Sequence, residues 1–148
     1  MTVISYMTAA SSDQGMWRKV LALYSHVEGQ LAQALQRKHG IGLSEFRALE
    51  CLSQAADGEL RMQELAGEVG LGQSSVTRLV GRLGAAGFAF RDLCPNDKRG
   101  VYAVITEEGR RRYADARSTY VEVLSSALNT AGATPELAGA VQMLRSGA

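Results

Sequence analysis

Two apolar stripes separated by a three-residue break constrain this chain more than any other feature. Met62, Leu65, Ala66 and Val69 recur at helical spacing, and Val76, Leu79, Val80 and Leu83 repeat the i, i+3, i+4, i+7 pattern. Gly70-Leu71-Gly72 lies between them, so the first helix ends at Gly70 and Gly72 serves as the N-cap of the next, a weaker cap than Ser or Asp. Two short helices that bury their stripes on one core across a tight glycine turn form a helix-turn-helix pattern. The arc opposite the second stripe carries Ser74, Ser75, Thr77, Arg78 and Arg82, all short hydroxyls or long cations. Gln73, Ser74 and Ser75 fall in its first turn, where side chains and unsatisfied amides meet base edges or phosphates. Taken alone, the pair also fits two ordinary bundle helices with a solvated outer face.

The next segment favours the first reading. Gly84 and Gly87 are expected to end the helix, and Phe88 to Leu93 reads as a strand with Phe88, Phe90 and Asp92 on one side. Val101 to Thr106, rich in β-branched residues, reads as a second strand. Pro95-Asn96-Asp97-Lys98-Arg99-Gly100 has the composition of an exposed hairpin tip. Lys98 and Arg99 at that tip suit an anion opposite, and a guanidinium there fits the negative potential of a minor groove, with Asp97 fixing its geometry. A helix for base edges beside a cationic ribbon is equipment for double-stranded DNA.

The segment LRMQELAGEVGLGQSSVTRLVGRLGAAGFAFRDLCPNDKRGVYAVITEEGRRRYADA resembles the MarR family of winged-helix transcription regulators throughout. Asp97-Lys98-Arg99, then Val101 to Ile105 and Thr106-Glu107-Glu108-Gly109, looks like that family's wing signature, and the flanking helices match in number and length. The resemblance implies an obligate homodimer on a pseudo-palindromic operator, with the helix around Ser74 to Arg82 in the major groove and Arg99 in the minor groove. It depart from the family's common pattern at Gly81, which costs up to ~1 kcal/mol of helix propensity relative to Ala, and at Gly72, where Ser is commoner.

The 148 residues suffice for one domain with a core, spanning 1–148, with a DNA-reading part at 44–106 and helical dimerising parts at 12–38 and 107–146. A net charge of +1 argues against nucleic acid until it is divided along the chain. Residues 1–71 hold six Lys/Arg against eight Asp/Glu, 72–117 hold nine against five, and 118–148 hold one against two, giving −2, +4 and −1. Positive charge is thus concentrated on the motifs, as a salt-sensitive specific binder requires. Met1 to Ala10 lacks the charged start and apolar run of a signal peptide, and no stretch is apolar enough to span a bilayer, so a cytoplasmic protein without membrane partners is expected.

The remaining segments read as helices. From about Ser12 to Lys38, Trp17, Val20, Leu21, Tyr24, Val27, Leu31, Ala34 and Leu35 are spaced three and four apart. Ser44 is expected to cap a helix to about Ala55, with Glu45 in its first turn. Thr106 caps a long helix with Glu107 and Glu108 at its positive end, and Thr134-Pro135-Glu136 starts a last one. That short helix, with Leu137, Val141 and Leu144, has little to pack on in one small subunit, so these helices are expected to interlock with a second copy across a two-fold axis. The fold class is therefore mainly α with a small β-hairpin wing, a winged helix-turn-helix between dimerising terminal helices.

Chemistry beyond binding finds little support. Cys51 and Cys94 have no CxxC or zinc spacing; Cys51, with Ala48, Leu52 and Ala55 at helical spacing, reads as core, while Cys94 at the tip is the more oxidisable and carries the redox-sensing alternative. His26 and His39 are too few and too far apart for a metal site, and no cofactor is implied. Trp17, Tyr24, His26, His39 and Phe46 read residue by residue as core and interface; the resemblance implies a pocket for a small aromatic or phenolic effector among them. No nucleophile with a base, carboxylate pair or phosphate-cradling loop stands at enzymatic spacing. A winged helix used only for protein contact is the other alternative, and it calls for a mixed or apolar arc instead of hydroxyls and cations.

Overall fold

Helices form where a 3.6-residue apolar stripe recurs, even across interior glycines such as Gly29 and Gly81, and the computed structural model shows this over most of the chain. It describes the backbone of residues 2–93 and 100–147, with side chains from residue 12 onward. Cys94, Asp97, Lys98 and Arg99 lie outside the described residues. The order is α1 (Thr2–His39), α2 (Leu43–Gln54), a 3-10 turn (Ala56–Gly58), β1 (Glu59–Arg61), α3 (Met62–Val69), α4 (Gln73–Ala85), β2 (Ala89–Leu93), β3 (Val101–Ile105), α5 (Glu107–Gly132) and α6 (Pro135–Ser146). The class is mainly α with a small sheet, as expected. α1 begins at Thr2 instead of Ser12, because nothing between them breaks a helix.

The chain divides into two compact units, Ala34–Tyr120 and a discontinuous one made of Met1–Gln33 with Val121–Ala148. In the first, Phe46, Leu49 and Leu52 of α2, Leu65 of α3, and Val76, Leu79, Val80 and Leu83 of α4 meet in one core with Ile41, Ala103 and Ala116. Each fully buried Leu or Phe contributes roughly 1.5–3 kcal/mol relative to exposure, so this core alone explains why α2, α3 and α4 dock together. Phe46 stacks on Tyr120 at 4.6 Å between ring centroids and lies 5.3 Å from Tyr113.

The sheet is not the two-stranded hairpin expected. It is antiparallel with the order β1-β3-β2, and Leu60 and Arg91 flank Ala103 of the central strand. The alternation along β2 also differs from the expectation: Ala89 is buried and Phe90 is exposed, while Phe88 precedes the strand. An edge strand beside α4 has room inward only for a small side chain, and Ala89 fills it. α5 then starts against this sheet: the Thr106 hydroxyl accepts from the Gly109 amide at 3.0 Å and so caps the helix. A Cβ at Gly109 would collide with the Phe88 carbonyl oxygen, so only glycine admits this approach.

Two caps differ from expectation, and a third is occupied as expected but bonded differently. Gly42, not Ser44, precedes α2, and the Glu45 carboxylate accepts from the Gly42 amide at 3.1 Å. α4 runs through Gly84 to a cap at Ala86, with Gly87 left-handed at φ 80°. Thr134 stands before α6, but its hydroxyl donates to the Ala131 carbonyl at 2.6 Å, so α6 starts on proline geometry and backbone bonds.

The second unit is less closed. Leu23, Val27, Leu31, Ala127, Ala131 and Val141 are buried, yet Trp17, Leu21, Tyr24, Met143 and Leu144 stay exposed, Trp17 at 62% and Met143 at 76%. A groove of about 400 Å³ runs among Val20, Leu23, Tyr24, Val27, Leu124, Leu128 and Leu144. No helix among the described residues is long and apolar enough to cross a membrane.

Candidate nucleic-acid interface

The turn between α3 and α4 fixes how α4 is presented. Gly70 adopts the left-handed conformation at φ 77°, and the amides of Gly70 and Leu71 both donate to the Ala66 carbonyl, at 2.9 and 3.0 Å. Gly72 is extended, and its carbonyl takes the Val76 amide at 3.0 Å, so α4 starts at Gln73 with its first amides facing outward. The buried stripe then dictates the exposed arc. Gln73, Ser74, Thr77, Arg78 and Arg82 are exposed, and Ser75 is half-buried.

The members of that arc differ in freedom. The Thr77 hydroxyl donates back to the Gln73 carbonyl at 2.9 Å, which leaves its oxygen as an acceptor and its methyl as a contact surface. Arg78 reaches the Ser75 hydroxyl only at 3.5 Å, a weak tether. Arg82 is held sideways, its Nε 3.2 Å from Oε1 of Glu45. Sequence reasoning took Arg82 as a member of an open cationic face and missed this partner, which comes from α2.

On its other flank α4 borders a polar cleft of about 170 Å³, lined by Arg61, Gln63, Gln73, Thr77, Arg91 and Val101 among others. Arg61 comes from β1 and Arg91 from β2, so the sheet brings two guanidinium groups to the mouth of the helix. Arg61 is oriented by Tyr102, to whose hydroxyl its Nε donates at 3.1 Å, with the guanidinium 5.8 Å over the ring, and by Glu64 at 3.9 Å. An oriented guanidinium, a second one beside it, two carboxamides and a threonine oxygen suit a phosphate and the groove edge beside it. Arg61, Gln63 and Arg91 were missed in the sequence; the available signal was their position beside the apolar stripes, but the three-residue strand that carries Arg61 is invisible to periodicity.

The residues weighed for other chemistry are placed as follows. Cys51 is half-buried beside the core, and its thiol is pushed up from 9.0 to about 11 by burial, then by a hydrogen bond and charge from Glu68 and by Glu50. That environment suppresses the thiolate. Tyr113 is raised too, by burial and then by the charge of Glu50. Of the five residues offered as an effector pocket, Phe46 is fully buried, so its ring is a core element with no free face for a ligand. His39 Nε2 lies 2.8 Å from the Thr119 hydroxyl, and Arg112 donates to the His39 carbonyl. Trp17, Tyr24 and His26 are exposed on α1 in the other unit, where Tyr24 lines the apolar groove. Among the described residues no three His, Cys, Asp or Glu side chains converge as a metal site would require.

Comparison with known proteins agrees with this geometry. Residues 41–101 match the model of the MarR family. The chain is 34% identical over 73 residues to YkoM, an HTH-type transcriptional regulator of Bacillus subtilis, a match that covers 49% of this chain and 46% of that protein. It is 35% identical over 72 residues to MhqR, an HTH-type transcriptional regulator of the same organism, covering 49% and 48%. The chain thus spans about half the length of the curated relatives it matches. Among solved structures it is similar to Sco3205, a MarR family transcriptional regulator from Streptomyces coelicolor in complex with DNA, with a TM-score of 0.78 and 28% identity over 92% of this chain and 84% of that one.

Proposed function

We propose that this chain, whose residues 41–101 match the MarR family model, is a sequence-specific DNA-binding transcription regulator that represses as a homodimer. The observation that carries the reading is the juxtaposition on one face of the hydroxyl-and-cation arc of α4 with the Arg61 and Arg91 cleft. That polar face is not needed to close the core of Ala34–Tyr120, which is buried behind it. The similar protein Sco3205 has been solved with DNA, which supports the same use here.

In this reading, the part spanning 44–106 docks on duplex DNA, and 12–38 with 107–146 hold two copies together. α4 enters the major groove, where Gln73, Ser74, Ser75, Thr77 and Arg78 reach base edges, while Arg82, Arg61 and Arg91 hold phosphates. Lys98 and Arg99, with Asp97 beside them, take the minor groove. The exposed Trp17, Leu21, Met143 and Leu144 favour a second copy as the cover of the helical unit. Two reading heads related by a two-fold axis then meet half-sites about 10 base pairs apart. Repression follows from occupying the promoter. An aromatic or phenolic anion relieves it by binding on the apolar side of the helical unit, where the groove beside Tyr24 has ligand-sized volume.

Fluorescence anisotropy with duplex fragments at modest salt tests the reading: binding of some fragments well above random duplex is expected, and uniform binding overturns it. Arg99→Ala is expected to weaken binding while leaving the dimer intact. Stabilisation by phenolic carboxylates in a thermal-shift screen supports the effector, and its absence across the series removes that element alone.

A further inference from the structure

Glu45 stands at a junction that the reading above leaves unused. It sits in the first turn of α2, yet its two carboxylate oxygens serve different helices. Oε2 accepts from the Gly42 amide at 3.1 Å, closing the start of α2, and Oε1 accepts from Nε of Arg82 at 3.2 Å, on the exposed face of α4. The Glu45 side chain is 23% exposed and that of Arg82 is 57% exposed. The carboxylate is therefore the sheltered, anchored member of the pair, and the guanidinium is the member that reaches solvent. The bond engages Nε, so Nη hydrogens of the same guanidinium remain for a second acceptor. A capping acid whose second oxygen is spent on a cation of the neighbouring helix fixes the angle at which that cation leaves α4.

We infer that Glu45 is a positioning residue for DNA recognition, which holds Arg82 in one orientation so that its Nη groups meet a phosphate beside the major groove. This rests on the DNA-binding reading proposed above. A carboxylate this near the interface has two opposed effects. It repels phosphate at any register, which weakens binding to every duplex, and it orders Arg82, which favours only the register in which a phosphate lies where the guanidinium points. Glu45 therefore raises discrimination between sites while lowering affinity for arbitrary DNA.

The test uses the full chain, a duplex selected by the wild-type protein from a randomised pool, and a shuffled duplex of the same composition. Glu45→Gln keeps an oxygen for the Gly42 amide and removes the charge that holds Arg82. It is expected to bind the shuffled duplex more tightly and to lower the ratio of selected to shuffled affinity by about twofold to fivefold, the range of an exposed ion pair. Circular dichroism and thermal melting show whether the variant keeps the fold; a merely structural role would change both duplexes alike and leave the ratio fixed. In an Arg82→Ala background the same Glu45→Gln change is expected to leave the ratio unaltered. An unchanged ratio in the single variant overturns the inference, and so does an equal fall in the Arg82→Ala background. If the wild-type protein enriches no duplex at all, the DNA-binding reading itself fails, which is a different result.

Discussion

The two units of this protein bury their apolar side chains to very different degrees. In Ala34–Tyr120 the large residues of α2, α3 and α4 are closed off, with Phe46, Leu49, Leu52, Leu65, Leu79 and Leu83 at 0% exposure. In the helical unit Trp17, Tyr24 and Leu144 stay more than half exposed. The first unit has satisfied its own core and presents a polar face, and the second keeps large apolar side chains exposed. A reading head must hold α4 rigidly against groove geometry, whereas an assembly surface is completed only on association. Under the proposed function, this contrast is a division of labour between reading and assembly.

Substitutions separate the two regimes, beginning with the largest effect. Phe46→Ala removes a ring packed between Tyr113 and Tyr120, and is expected to cost about 3–5 kcal/mol in urea denaturation. A cost below about 1 kcal/mol would mean the reading unit is not closed as described. Leu144→Asp should leave the folded subunit intact but weaken association by about 1.5–3 kcal/mol, at least tenfold in the dimer constant by sedimentation velocity. If the oligomeric state is unchanged, the exposed apolar face has another use.

Smaller effects are expected at the interface itself. Arg91→Ala should weaken binding to all duplexes similarly and reduce the slope of log affinity against log salt by about 1, the mark of a lost phosphate contact. A change confined to one base position would instead make Arg91 a base reader. The smallest effect concerns Cys51, whose folded state favours the neutral thiol. Its contribution is fully present below pH 9.0 and is lost as pH rises from there through about 11, since only the unfolded thiol ionises in that window. The stability difference between wild type and Cys51→Ala should therefore shrink between pH 8 and pH 10.5, and a difference independent of pH would contradict the burial described.

Much of the reading unit was legible because its causes are local. The stripes of α3 and α4, the break at Gly70, the Gly72 start and the Thr106 cap each follow from residues within one or two turns. What escaped depends on distant partners. β1 is three residues long and exists because Leu60 pairs with Ala103, more than forty positions later, so no periodicity announces it. Arg61 and Arg91 acquire meaning only when that sheet brings them beside Gln73 and Thr77. The Glu45 bond to Arg82 joins residues with no sequence relation. Phe46 looked like a pocket aromatic because its type suits both roles, and only its packing against two tyrosines decides between them. The tip residues Asp97, Lys98 and Arg99 rest on sequence alone.

Selection of duplexes from a randomised pool by the full chain, followed by sequencing of the enriched fraction, tests most directly whether a closed reading unit is paired by an unfinished helical one. The account predicts an inverted repeat whose half-sites lie about 10 base pairs apart, centre to centre. Enrichment of a single unpaired half-site, or of no sequence at all, would contradict it.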